Sequence, residues 1–210
     1  MGLIRLLMSD PVTFVILSVL LLYSVIFHEV AHGWVACKMG DETAKWLGRL
    51  TLNPLKHLDP IGSLMLLMVG FGWAKPVPIN LENIPAQQRR KGLILVSAAG
   101  ITANIIIAFL ALLLWRLFSP EPGGMIYQVL YLLAYINIML AAFNLIPIPP
   151  LDGSKILMGF TPESFNRVLY QIEPFGFFIV LGLLLLGALN PVINVFQSGF
   201  LTFISIFLPS

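Results

Sequence analysis

Two histidines and a glutamate lie within five consecutive residues, His28, Glu29 and His32, in the pattern HExxH. Residues four positions apart lie on the same face of a helix, so both imidazoles can bind one zinc ion. The glutamate lies about 100° further round the helix, where it can act as a general base beside the metal. The motif therefore predicts a metal centre with hydrolytic chemistry.

The motif lies in an apolar run from Pro11 to about Lys38, which is long enough to cross a lipid bilayer. Ionisable residues inside a bilayer cost about 2.5–3.5 kcal/mol each on insertion scales, and so they indicate function rather than packing. The run is also too long for the apolar part of a signal peptide. We expect it to be a retained transmembrane helix.

The composition is typical of a protein that crosses the membrane several times. Of the 210 residues, 58% are hydrophobic and 10% are charged, whereas a soluble domain has about 25% charged residues. The net charge of +2 is too small to indicate nucleic acid as a partner. The lipid bilayer is the expected surrounding of this chain.

Four or five segments can span the membrane. After the first come Gly92 to about Phe118 and Met125 to about Ile146. The long run from Phe175 to Leu208 contains a proline after Asn190, and proline disfavours helix at the residue before it. We divide this run into two short spans that meet near Asn190. The prediction is an all-helical polytopic membrane protein with about five transmembrane helices.

A further apolar stretch, Ile61 to Trp73, is too short to span and is followed by two prolines. Irregular backbone at membrane depth is stable only where protein or a water-filled cavity covers it. Residues 61–80 are therefore predicted to form a re-entrant loop or short hairpin that flanks the site, or else an interfacial segment.

The positive charges predict the orientation, because loops on the cytoplasmic side carry an excess of lysine and arginine. Eight lie between residues 38 and 91 and two more in segment 149–174, whereas Arg5 and Arg116 lie on the opposite side. The first and third spans then end on the cytoplasmic side. We expect the active site towards that side of the cell membrane.

Asp152 is the best candidate for a third metal ligand. Catalytic zinc is held by three protein ligands and a water, and the sequence has only ten acidic residues. The run NLIPIPPLDG at 144–153 follows the third span, and a turn there would place Asp152 at the depth of the two histidines. A capping or turn role at an Asp-Gly pair is the alternative.

The HExxH at 28–32, with Leu151, Asp152 and Gly153 after a later span, resembles the site-2 protease family of intramembrane zinc metalloproteases, peptidase family M50. Segments 52–62, LNPLKHLDPIG, and 71–80, FGWAKPVPIN, are similar to the compact prokaryotic branch that lacks a PDZ domain. The resemblance covers much of residues 20–160. It implies a three-helix catalytic core made by the spans that carry the HExxH, Asn104 and the Asp152 motif.

The resemblance also implies one buried zinc ion per chain, reached by water from the cytoplasmic side. Members of the family cleave transmembrane helices of other proteins, so transmembrane proteins are the expected partners; a homodimer stays open. Zinc lowers the pKa of a bound water, and Glu29 is expected to take its proton. An unwound substrate segment is expected to pair with the edge of segment 61–80.

Asn104 and Asn144 are expected to assist catalysis at the developing oxyanion. Hydrogen bonding between helices is the alternative for both, as it is for Asn137, which lies on the same helical face as Asn144. His57 is a third histidine, for which a structural hydrogen bond or a gating role fits better than a ligand role.

Two other functions fit the same motif. A metal transporter or sensor would need ionisable residues along a path through the other spans, and these spans are nearly free of them. An inactive scaffold would have no need of Glu29 beside a complete ligand set. We predict a zinc-dependent endopeptidase in a single integral membrane domain, 1–210, with its core at about 11–160 and a C-terminal helical hairpin at about 174–208.

Overall fold

The computed structural model describes residues 3–69 and 72–209, where the regular secondary structure is helical and contains no strand. The all-helical prediction is confirmed. Within these residues lie the α-helices α1 (Leu3–Ser9), α2 (Pro11–Lys38), α3 (Thr43–Trp46), α4 (Pro60–Val69), α5 (Arg89–Phe118), α6 (Met125–Asn144), α7 (Asp152–Phe160), α8 (Glu163–Ile172), α9 (Gly176–Leu185) and α10 (Asn190–Ile206). Short 3-10 turns lie at Pro54–Lys56, Leu81–Asn83, Ala86–Gln88 and Glu173–Phe175.

In the described part of the chain, four helical segments are long and apolar enough to cross a membrane: Pro11–Lys38, Ala86–Phe118, Met125–Asn144 and Glu163–Leu185. The chain is therefore a membrane protein. The first three segments agree with the spans predicted from the sequence. Helix α2 begins as expected from its residues, because Asp10 accepts a hydrogen bond from the Thr13 N–H and a proline follows at the first helical position.

The fourth segment differs from the prediction of about five spans. Helices α8 and α9 join through the turn at Glu173–Phe175 into one segment, and α10 has only 17 residues, short of the roughly 20 that a span needs. The helix does break where expected, since α9 ends at Leu185 and α10 begins at Asn190.

Helix α5 packs against α2, α6 and α7. Small residues lie in these contacts: Ala108 and Ala111 of α5 and Ala134 and Ala141 of α6 are buried. Lipid tails are as apolar as leucine, so helices in a membrane associate mainly by close packing, which small residues permit. Large apolar side chains such as Phe27 face outward instead, as suits contact with lipid.

Helix α10 runs antiparallel to α6. Near its start, Ile193 packs in a cluster with Ile146 and Leu151, just beyond the C-terminal end of α6. Near its end, Ile204 packs against Ile138, which lies further back in the C-terminal half of α6. The C-terminal segment thus packs along the C-terminal half of α6, and its end also contacts Ala108 of α5.

Helix α2 ends in a turn at Gly40, whose φ of +111° favours glycine. The turn leads to Asp41, which is fully buried and accepts hydrogen bonds from the Asn80 N–H at 2.6 Å and the Asn83 amide at 2.8 Å. Burial alone would raise the pKa of Asp41, but hydrogen bonds from Thr43, Asn83 and Asn80 outweigh it and hold that pKa below its usual value. These bonds fasten residues 80–83 to the end of α2.

Helix α4 and the non-helical segment 72–80, which we call the return segment, form a hairpin. A Cβ on Gly62 would lie 2.1 Å from the Trp73 carbonyl oxygen, so the two limbs touch. Arg49 donates to the Lys75 carbonyl oxygen at 2.8 Å, and the Lys75 N–H donates to the His57 carbonyl oxygen at 2.8 Å. Residues 70 and 71 of the predicted loop lie outside the described residues.

Candidate metal centre

His28 and His32 lie one turn apart on the buried face of α2, each with 6% of its surface exposed. Their rings meet edge to face, with centroids 4.6 Å apart. The Nε2 atom of each ring lies 3.1 Å from Oδ2 of Asp152. The structure therefore brings the three predicted ligand residues together, with ligand atoms within 4.8 Å of one another.

A tight turn after α6 carries Asp152 to the histidines. Helix α6 ends at Asn144, and Asp152 is the first residue of α7. A Cβ on Gly153 would lie 2.1 Å from the Leu145 carbonyl oxygen, so this glycine lets the turn and α7 pack closely. The proline-rich turn that the sequence predicted is the element that positions Asp152.

Each imidazole has a hydrogen-bond acceptor at its Nδ1 atom. His28 Nδ1 lies 2.6 Å from Oδ1 of Asn104, and His32 Nδ1 lies 2.6 Å from the Val96 carbonyl oxygen. Both partners lie on α5. A carbonyl oxygen can only accept, so Nδ1 carries the proton, and Nε2 of the neutral ring presents a lone pair.

This donor set fits a metal cation. Oδ2 of Asp152 is buried without a hydrogen-bond donor among the described residues, yet two ring nitrogens lie 3.1 Å from it. A proton on one ring would satisfy only one of these contacts, whereas a divalent cation satisfies both nitrogens and the oxygen. Zinc binds histidine nitrogen and carboxylate oxygen at about 2.0–2.2 Å. Atoms that bind the same zinc ion are therefore about as close to one another as the two Nε2 atoms are to Oδ2 of Asp152 here.

Gly100 of α5 leaves the space that an ion would occupy. A Cβ at this position would lie 2.5 Å from His32 Nε2 and 2.6 Å from His28 Nε2. The importance of Gly100 was not predicted from the sequence. Its spacing of four residues from Asn104 was the available signal, because it places both on one face of α5.

Glu29 is held by the return segment. The Val77 N–H donates to Oε2 of Glu29 at 2.9 Å, and the Val77 side chain is buried. The sequence predicted a loop beside the site but did not identify this bond. This backbone donor orients the candidate general base while the Glu29 side chain stays partly exposed.

The two predicted asparagines have different surroundings. Asn104 is fully buried and contacts His28 directly. Asn144 donates from Nδ2 to the Leu140 carbonyl oxygen of its own helix at 3.0 Å. No hydrogen bond from Asn144 to a ligand side chain occurs among the residues that the structure describes. The oxyanion role of both asparagines stays a prediction.

His57 lies outside the metal-binding group. It is fully buried, and its Nε2 atom donates to the Thr51 carbonyl oxygen at 2.8 Å. A structural hydrogen bond was one of the two roles predicted for His57, and a gating role stays a prediction. The His57 carbonyl oxygen also accepts a hydrogen bond from the return segment.

Comparison with known proteins agrees with this site. The family model of peptidase family M50 matches residues 120–187. YwhC of Bacillus subtilis, named as a zinc metalloprotease, is 40% identical over 205 residues, which are 92% of this chain and 93% of YwhC. Rip2 of Mycolicibacterium smegmatis, also named as a zinc metalloprotease, is 33% identical over 175 residues, 80% of this chain and 66% of Rip2.

A third relative is zinc metalloprotease MJ0392 of Methanocaldococcus jannaschii, which is 29% identical over 159 residues, 76% of this chain and 38% of MJ0392. No solved structure matches the chain significantly. The similarity to YwhC extends over nearly the whole of both chains, and the family model covers the turn that carries Asp152. The chain therefore belongs to peptidase family M50 and is a zinc metalloprotease of that family.

Proposed function

We propose that the protein is an intramembrane endopeptidase that hydrolyses peptide bonds in membrane-embedded segments of other proteins. The observation that carries the proposal is the location of the metal-binding group. His28 and His32 belong to α2, an apolar helix long enough to cross a membrane, and Asp152 reaches them from the turn after a second such helix. A metal site between spanning helices suits substrates whose chain segments are themselves in the bilayer.

His28, His32 and Asp152 would hold one zinc ion per chain. When bound, zinc supplies a Lewis acid and an acidic water. Glu29, held in place by the Val77 N–H, takes a proton from the attacking water and later delivers it to the leaving amine.

Two asparagines complete the proposed chemistry. Asn144 supplies a hydrogen bond to the oxyanion that develops on the scissile carbonyl, whereas the amide nitrogen of Asn104 donates to Asn137 and its oxygen faces the metal centre. The turn after α6 begins at Leu145, so Asn144 lies at the junction between a spanning helix and the segment that carries Asp152. Asn104 contributes by orienting the ring of His28.

The proposed arrangement in the membrane has α2, α5 and α6 as the catalytic core and α10 as a short fifth span. The hairpin of α4 and the return segment dips into the membrane beside the core. Lys38 at the end of α2 and Arg89 at the start of α5 support a cytoplasmic position for this end of the bundle. Reporter proteins fused at Arg90 and Gly123 would report opposite sides of the membrane.

The return segment is proposed to bind an unwound stretch of the substrate. Pro76 and Pro78 favour extended backbone at the residues before them, Lys75 and Val77. The N–H groups of Lys75 and Val77 are used within the protein, by His57 and Glu29. In extended backbone the neighbouring residues present their carbonyls to the opposite edge, where substrate N–H groups can donate to them.

Removing the donor to Glu29 tests the role of the return segment. We expect Val77→Pro to lower kcat about tenfold, because a hydrogen bond to a charged group contributes about 1.5–3 kcal/mol, while the flanking prolines keep the backbone extended. Val77→Ala, which keeps the N–H and shortens the buried side chain, is the matched control. Equal activities of the two variants at equal zinc content would contradict this role.

The activity itself is tested with the full chain reconstituted in liposomes together with single-span membrane proteins. Mass spectrometry of the fragments locates the cut. We expect cleavage inside the membrane-embedded segment, inhibition by a zinc chelator and recovery when zinc is restored. Cleavage confined to soluble loops, or unaffected by the chelator, would overturn the proposal.

A further inference from the structure

Three buried polar residues meet where α2, α5 and α6 pack together: Ser24, Asn104 and Asn137, each with at most 1% of its surface exposed. One comes from each helix. Buried polar groups are costly unless they are hydrogen-bonded, and more so among apolar helices. Each of the three side chains is therefore expected to be hydrogen-bonded, and the identity of its partners determines which of its atoms donates and which accepts.

The Leu133 carbonyl oxygen determines how the Asn137 amide is oriented. Asn137 donates from Nδ2 to the Leu133 carbonyl oxygen and to Oγ of Ser24, each at 2.8 Å. A backbone carbonyl can only accept, so the nitrogen of the Asn137 amide must lie on that side. Oδ1 of Asn137 then lies towards α5 and accepts a hydrogen bond from Nδ2 of Asn104 at 2.8 Å.

This bond determines which atom Asn104 presents to the metal centre. With Nδ2 bound to Asn137, Oδ1 of Asn104 lies 2.6 Å from Nδ1 of His28 and accepts its proton in a hydrogen bond. If the Asn104 amide turned over, its nitrogen would donate to Nδ1 instead. The ring proton would then move to Nε2, which faces Asp152, and this nitrogen could no longer bind a metal.

We propose that Asn137 is a positioning residue that acts through Asn104 to keep His28 in the tautomer that binds the metal. The inference rests on the proposed zinc site. A second acceptor for Asn104, the Ser24 carbonyl oxygen, lies at 3.4 Å, which is long for a hydrogen bond, so Asn137 makes the main contribution.

The two histidines differ in this respect. The Nδ1 atom of His32 is bound by the Val96 backbone carbonyl, which cannot turn over. Its tautomer needs no side chain to set it. Loss of Asn137 should therefore change the tautomer of His28 and leave the tautomer of His32 unchanged. A general destabilisation of the fold would not produce this difference.

The experiment uses full-length protein in detergent, with ring-labelled histidine and NMR at a pH that keeps the imidazoles neutral. The chain has three histidines, and His28→Gln and His32→Gln assign their signals. For Asn137→Leu we expect the His28 ring to shift from the Nδ1–H form to a mixture of tautomers, with His32 unchanged. Zinc affinity, measured by competition with a chelating dye, should fall about tenfold.

Three variants separate positioning from packing. Asn137→Asp, whose neutral acid keeps a carbonyl acceptor for Asn104, should recover most of the zinc affinity. Ser24→Ala leaves the bond to Leu133 and should change affinity less than Asn137→Leu does. Asn166→Leu removes a buried amide whose bonds to Thr161 and Met158 lie outside the site, and it should leave zinc affinity unchanged.

Should Asn137→Leu fail to fold, Asn137→Ser, too short to reach Asn104, serves the same purpose. Wild-type zinc affinity and an unchanged His28 tautomer in the folded variant would overturn the inference, as would an equal loss of affinity in Asn166→Leu. A wild-type protein that binds no zinc would contradict the proposed function instead, and the tautomer measurement would then still decide the role of Asn137.

Discussion

Glu29→Gln is expected to lower the rate of substrate cleavage about a hundredfold to ten-thousandfold while zinc stays bound. A positioned general base contributes about 10²–10⁴ in rate, and glutamine cannot take a proton from water. Glutamine has nearly the shape of glutamate and keeps an oxygen that can accept from the Val77 N–H, so the site should stay intact. The measurement is fragment release from a reconstituted membrane substrate, with zinc content determined on the same preparation.

Glu42→Gln is the control for this change. Glu42 lies just beyond the end of α2, and its partner is the exposed Lys45 at 2.7 Å. The control should keep the wild-type rate, since exposed ion pairs contribute little. A Glu29→Gln protein that cleaves at a rate close to that of wild type would exclude Glu29 as the base.

Gly100→Ala is expected to lower zinc affinity by about a hundredfold or more and to reduce cleavage with it. The added Cβ would lie 2.5 Å from His32 Nε2 and 2.6 Å from His28 Nε2, so the rings must move. Both rings are buried, and each is held at Nδ1 by a 2.6 Å hydrogen bond to α5. Displacing ligands that are oriented in this way typically costs 10–100-fold in metal affinity, and here two ligands are affected.

Gly199→Ala is the matched control, because Gly199 lies within α10 with nothing within 4 Å of an added Cβ. Alanine is the better helix former by about 1 kcal/mol. Neither substitution weakens the helix in which it lies. If Gly100→Ala loses zinc and Gly199→Ala does not, the loss must come from the contact with the metal-binding histidines. Full zinc affinity in Gly100→Ala would show that the ion does not lie between the two rings.

The long helices could be predicted because a bilayer imposes their length and composition. A long and mostly apolar run after Pro11 predicted α2, and the run after Met125 predicted α6. The C-terminal region was predicted less well. Its apolar composition shows where a helix can exist, but the joining of α8 to α9 depends on packing against the turn that precedes Asp152, where Gly176 approaches Pro149.

The three ligand residues could also be predicted from the sequence. His28 and His32 follow from helical spacing, and Asp152 follows from the side of the membrane on which α6 ends. The residues that orient these ligands could not be predicted in the same way. The hydrogen bonds of Val96 and Asn137 depend on the rotation and register of α5 and α6 against α2, and a hydropathy pattern does not specify either.

The central claim is that His28, His32 and Asp152 together hold a zinc ion, and zinc content per chain tests it most directly. Elemental analysis of the purified full-length protein, after dialysis to remove loosely bound metal, should give one zinc per wild-type chain. Asp152→Ala should retain little of it, because two imidazoles alone leave the site without its third ligand. A wild-type chain without zinc, or an Asp152→Ala chain with as much zinc as wild type, would contradict the account.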